Sequence, residues 1–110
     1  MTGEQGAGAT QVLTMTAQVG YQEGGVVSKT VIDKKVGTLT LFAFAAGQGL
    51  SEHTAPYDAF IQVIEGEALI TIADINYTVG AGQMIIMPAN EPHSVKGLQQ
   101  FKMLLVMIRA

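Results

Sequence analysis

Two histidines are the chain's whole supply of neutral-pH proton carriers, His53 in SEHTAPYDAF and His93 in ANEPHSVKG. An imidazole takes or gives a proton near neutral pH, accepts a hydrogen bond, and ligates metal ions. With no cysteine there is no thiolate nucleophile, no sulfur ligand for zinc and no disulfide. Ser94 follows His93, but adjacency places no hydroxyl against an imidazole base, so nucleophilic catalysis is not indicated. The glycine pairs at 47 to 49 and 80 to 82 open no helix and read as turns rather than phosphate loops. Glu65-Gly66-Glu67 reads as a solvated hairpin turn, and Lys96, Lys102 and Arg109 as solvent charges on late strands.

These residues must be positioned by short strands. From residue 11 the chain is a series of apolar and β-branched segments cut by glycine: QVLTMTAQV, GVVSKTVID, GTLTLFAFA, AFIQVIEG, EALITIAD, NYTVGAG, QMIIMPAN, HSVKG and FKMLLVMI. None carries a sustained 3.6-residue stripe, and turn signals recur about every 8 to 12 residues, the pattern of a sandwich or barrel. Ala73-Asp74-Ile75-Asn76 is a hairpin tip without glycine, where Asp74 or Asn76 is expected to take positive φ. Residues 1–10 read as a flexible tail and 11–110 as a single domain.

Composition narrows the partners. Nine acidic against six basic residues give a net charge of −3, which offers nothing to a phosphate backbone, so nucleic acid is not expected. The N-terminus lacks a basic and an apolar region, and no apolar run approaches the roughly 20 residues that span a bilayer. The expected setting is therefore cytoplasmic, away from membranes. With 48% hydrophobic residues and a mean hydropathy of +0.32, apolar side chains exceed what one small core hides. LFAF, FIQVI, MIIM and MLLVMI are apolar on both faces, which predicts a covered outer sheet face and a homodimer.

Gly47, five residues, His53 and then Gly66 form one constellation; Gly82, five residues, Pro88, Asn90 and His93 form a second. Together, over about residues 37–97, they resemble the paired motifs of the cupin superfamily, whose fold is an all-β double-stranded β-helix, a jelly-roll barrel. In the family the first motif runs Gly, His-x-His, Glu, Gly and the second Gly, Pro-x-Gly, His, Asn. The resemblance implies that His53 and His93 face the barrel pocket. Ala55 and Ala59 stand where a histidine and a glutamate ligand would be, Gly97 where the asparagine would be, and Asn90 for a turn glycine. The implied metal site is degenerate, so no metal ligands are assigned and the cofactor is left open among Mn, Fe, Ni and Zn.

The first expectation for function is a binding site for a small organic ligand, contacted by His53, His93, Tyr57, Phe42 and Met84, in a pocket enlarged by the two alanines. A metal-dependent enzyme of dioxygenase or isomerase type, with water and substrate completing coordination at the two histidines, is the alternative. A structural or regulatory homodimer with a closed barrel is the third.

Overall fold

The computed structural model describes residues 10–109. Its strands are β1 (Val26–Lys34), β2 (Gly37–Phe44), β3 (Gly49–His53), β4 (Asp58–Glu65), β5 (Glu67–Ile72), β6 (Ile75–Gly80), β7 (Met84–Met87), β8 (His93–Lys96) and β9 (Phe101–Ile108). They form two antiparallel sheets, one ordered β1-β2-β9-β4-β7 and the other β3-β8-β5-β6. The all-β expectation holds: among the described residues the one helical element is a 3-10 turn at Met15–Ala17. No helix there is long and apolar enough to cross a membrane. The tail expected over residues 1–10 lies, but for Thr10, outside the described residues.

Period-two patterning decides which side chains go inside. β5 alternates buried Ala68, Ile70 and Ile72 with Glu67, Leu69 and Thr71. β4 turns Ala59, Ile61 and Val63 inward in the same way. These residues meet Phe44, Phe101, Met103, Met87, Val79 and Val95 in the space between the sheets. Three rings stack at one end of that space: Phe42 on Phe44 with centroids 5.6 Å apart, and Phe44 on Phe101 at 4.5 Å.

Several local expectations are corrected. QVLTMTAQV forms no strand; it runs through the 3-10 turn, and Val19 packs on the outer face of the five-stranded sheet against Leu41, Ala43 and Leu104. Alternation is weak there (Val12, Leu13, Met15, Val19), and the segment finds a sheet face rather than a strand edge. Glu65-Gly66-Glu67 is no hairpin, because β4 pairs with β7 and β9 while β5 pairs with β6 and β8. Gly66, at φ +79, carries the chain from one sheet to the other.

Nor are the flanking charges all free in solvent. Lys102 is 8% exposed; its Nζ donates to the Thr16 carbonyl at 2.6 Å, lies 4.9 Å from the Tyr21 ring centre and 4.0 Å from Glu65. Tyr21 donates its hydroxyl to Glu65. Arg109 is half-buried: it donates to the Lys34 carbonyl at 3.2 Å and lies over the Tyr57 ring.

The hairpin tip comes out as expected and more: both Ala73 (φ 49) and Asp74 (φ 67) are left-handed, the conformation a two-residue type I′ turn needs. Asn76 instead lies within β6.

Candidate functional site

His53 ends β3 and His93 begins β8, and the two are direct cross-strand partners. What brings His53 to that face is a bulge. Leu50 pairs with Val95 and His53 with His93, so three steps on β3 match two on β8. An uninterrupted strand with Leu50 inward would send residue 53 outward; one extra residue restores it to the inner face. Ser51 and Glu52 occupy the bulge and are exposed, which keeps the Glu52 carboxylate away from the histidines. The loop carrying His93 is set by Asn90, left-handed at φ 68 as its place in the motif predicts, whose N–H donates to the Ala55 carbonyl at 2.8 Å.

The rings meet edge to face, centroids 4.3 Å apart, with Nε2 of one 3.1 Å from Nε2 of the other. Each Nδ1 faces a backbone carbonyl, His53 that of Ser51 at 2.8 Å and His93 that of Glu91 at 3.1 Å. A carbonyl oxygen only accepts, so both Nδ1 atoms carry hydrogen, and a neutral ring then presents a lone pair at Nε2. Two lone pairs at this distance become a hydrogen bond when one further proton lies between them. His93 is 8% exposed, whereas His53 is open to solvent.

Pairing registers draw the mouth of the barrel around this contact. On one sheet the inward row reads His53, His93, Ile72, Ile75. On the other it reads Thr38, Met107, Ala59, Met87. Ala59 thus occupies an inward position where a longer side chain would reach the mouth. Gly97 has a packing reason: a Cβ there would lie 2.4 Å from the Phe101 ring, which fills the space a side chain at 97 would need.

A cavity of about 730 Å³ opens between the edge strands β6 and β7, walled by Ile72, Val79, Ile85 and Pro88, with Tyr77, Thr78 and Gln83 as its polar groups. Neither histidine is on its wall. Ile72 joins the two features, since it lines the cavity and is the cross-strand partner of His93. Apart from Pro88 of the second motif and Met84, these cavity residues were not among those singled out from sequence. Their signal was the alternation of β5, which marks Ile72 as inward but does not show that the sandwich is open beside it.

Of the other candidates, one borders the cavity and two do not. Met84 is on the cavity rim, 56% exposed, with the outward parity of its partner Gln62. Phe42 is in the aromatic stack at the far end, and Tyr57 is half-buried under Arg109, whose guanidinium carbon is 5.2 Å from the ring centre. Asp58 is used structurally, accepting the Ala89 N–H at 3.0 Å.

A metal ion finds part of what it needs here. The Nε2 atoms converge while each Nδ1–H is held by a carbonyl, which is how metal-bound imidazoles are oriented. The number of donors falls short: among the described residues no group of three or more His, Asp or Glu side chains could hold an ion. Two imidazoles alone do not make a closed site.

Residues 40–108 match the cupin domain family. A conserved protein of unknown function from Streptococcus pyogenes is 34% identical and superposes with a TM-score of 0.87, over 91% of this chain and 88% of its own. A cupin superfamily protein from Desulfitobacterium hafniense is 26% identical, with a TM-score of 0.87 over 91% of this chain and 92% of its own. A cupin 2 conserved barrel domain protein from Leptotrichia buccalis is 35% identical, with a TM-score of 0.85 over 87% of this chain and 47% of that longer one. No curated protein matches the chain.

Proposed function

This chain belongs to the cupin family, and from that premise we propose that it binds a small organic ligand whose polar head engages the His53–His93 pair and whose apolar body enters the cavity beside Ile72. The observation that carries this reading is the junction of the two features: Ile72 pairs with His93 and also walls a largely apolar space of about 730 Å³. That volume is within the range of small-molecule sites, about 300–1,000 Å³.

The pair also favours a type of head group. With both Nδ1–H groups given to carbonyls, one added proton shared by the Nε2 atoms would make one of them a donor and leave the other an acceptor. A hydroxyl that displaces the direct Nε2–Nε2 contact satisfies both at once, its oxygen accepting from one ring while its hydrogen goes to the other. A hydroxyl so held sits between an acid and a base, the arrangement needed for proton transfer to or from the ligand.

Imidazole-detected NMR on untagged protein tests this, with benzyl alcohol and toluene as probes of equal apolar bulk. Benzyl alcohol is expected to shift the Nε2 signals of both histidines together with the Ile72 methyls, and toluene the methyls alone. Equal response to both probes at the histidines, or none at Ile72, overturns the reading.

The oriented Nε2 atoms favour a second reading, a metal-dependent enzyme in which water and substrate supply the missing ligands. Near-stoichiometric Mn, Fe, Ni or Zn in untagged protein, lost in His93→Ala, would favour that reading and displace the first.

A further inference from the structure

β6 and β7 are the end strands of their sheets, and the cavity of about 730 Å³ lies between their open edges. Three of its wall residues, Thr78, Met84 and Ile86, have outward parity, since their partners Leu69, Gln62 and Phe60 alternate with buried residues. It is therefore the strand edge that borders the cavity at these positions.

The connection between the two strands shows which main-chain groups that edge presents. Gly80 donates its N–H to Oε1 of Gln83 at 2.9 Å, and its carbonyl accepts the Gln83 N–H at 2.9 Å, so both groups point away from β5. Main-chain groups alternate sides along a strand, so those of Thr78 point the same way. The Gln83 carbonyl accepts the Val63 N–H at 3.0 Å and so faces β4. By the same alternation Ile85 and Met87 face β4, while Met84 and Ile86 face away from it. Among the described residues none bonds across either edge at Thr78, Met84 or Ile86. Gln83 stands at one end of the gap. With its Oε1 given to Gly80, both hydrogens on its Nε2 remain to be donated.

We infer that the ligand of this cavity is a short extended peptide, added as a strand to the free edge of β7, an inference that rests on the ligand reading above. Met84 and Ile86 each offer an N–H and a carbonyl, two residues apart, which is the repeat at which an extended chain presents its own. A purely hydrocarbon body would take these groups from water and return no partner, at a cost for each. A peptide pairs with them, lays alternate side chains on Ile72, Val79 and Ile85, and turns a carbonyl toward the Gln83 donors. From Ile75, the partner of Ile72, to Gly80 the strand β6 runs about 17 Å, room for about four extended residues. A serine or threonine at the Ile72 end supplies the hydroxyl for the histidines.

Hydrogen exchange followed by NMR tests this with the capped tetrapeptide acetyl-Ser-Val-Val-Ser-amide, which carries a hydroxyl toward either end. Saturating peptide is expected to slow exchange of the Met84 and Ile86 amides at least tenfold. The same peptide N-methylated at both valines keeps its side chains but loses one donor on each side of the strand, and should bind at least tenfold more weakly. Ile86→Pro removes an N–H that no ladder bond uses, so it should melt close to the wild type and bind the unmethylated peptide at least tenfold more weakly. Should that variant fail to fold, Gln83→Glu takes its place with the same expected direction: it keeps an acceptor for Gly80 and replaces the free donors with a second acceptor. Equal affinity for the two peptides, or unchanged exchange at Met84 and Ile86, overturns the inference, and overturns it alone where benzyl alcohol still shifts the histidines and Ile72. Failure of benzyl alcohol and peptide together overturns the ligand reading with it.

Discussion

The two ends of this barrel are built on the same strands and finished in opposite ways. At the Phe44 end the interior is closed by stacked rings, and the exterior is tied down by Tyr21, Glu65 and Lys102. At the Gly37 end the interior narrows to Ala59 and two imidazoles, and the exterior is left to Val36 and Ile108. β2, β4 and β9 run through both ends, so the difference lies in side chains and not in the frame. One end can hold the fold while the other carries small residues, a bulge and paired histidines.

Substitutions at each end should therefore separate stability from binding. The largest effect is expected at the closed end: Phe44→Ala empties a fully buried ring position and should cost about 3–5 kcal/mol in urea unfolding. A loss below about 1 kcal/mol would mean the stack does not carry the fold. His93→Ala, at the open end, should cost only about 1 kcal/mol by the same measurement, yet abolish the histidine-dependent response to benzyl alcohol.

Tyr21 adds a pH test of the outer tie. Burial first, and then the hydrogen bond and charge of Glu65, push its ionisation well above the ordinary tyrosine value. A group raised in this way stabilises the fold fully below its unfolded value, about pH 10, and that contribution is lost as pH climbs through the raised folded value. Wild-type stability should therefore fall more steeply than that of Tyr21→Phe above about pH 10; parallel curves would remove the tie from the account. The smallest effect is expected from Thr38→Val at the open end, where a buried hydroxyl lacks a partner. Its removal should raise stability by about 1 kcal/mol, and a loss of similar size would show that the hydroxyl is in use.

Much of the frame was legible in the order of residues. Glycine-bounded β-branched runs located eight of the nine strands, and the motifs around Gly47, His53, Pro88, Asn90 and His93 carried the resemblance to the family the chain belongs to. What stayed hidden depends on contacts distant along the chain. Lys102 has the outward parity of a solvent charge and is covered only because residue 16 crosses above it. Gly66 has the composition of a hairpin and the duty of a crossover, which only strand pairing distinguishes. β3 is short and polar, and its bulge leaves no mark in composition; the carbonyls of Ser51 and Glu91 that fix the imidazoles are backbone atoms any residue would supply.

Among the described residues the bulged strand β3 has β8 as its only neighbour, through pairs at Gly49, Leu50 and His53. An edge strand held so sparsely is where a sheet opens first, well below the free energy of global unfolding. Whatever bridges His53 to His93 acts as a clasp on that edge, so occupancy should be readable as slowed amide exchange along β3 while the aromatic end stays unchanged. The mouth of the barrel thereby gains a latch whose closing is set by its own guest.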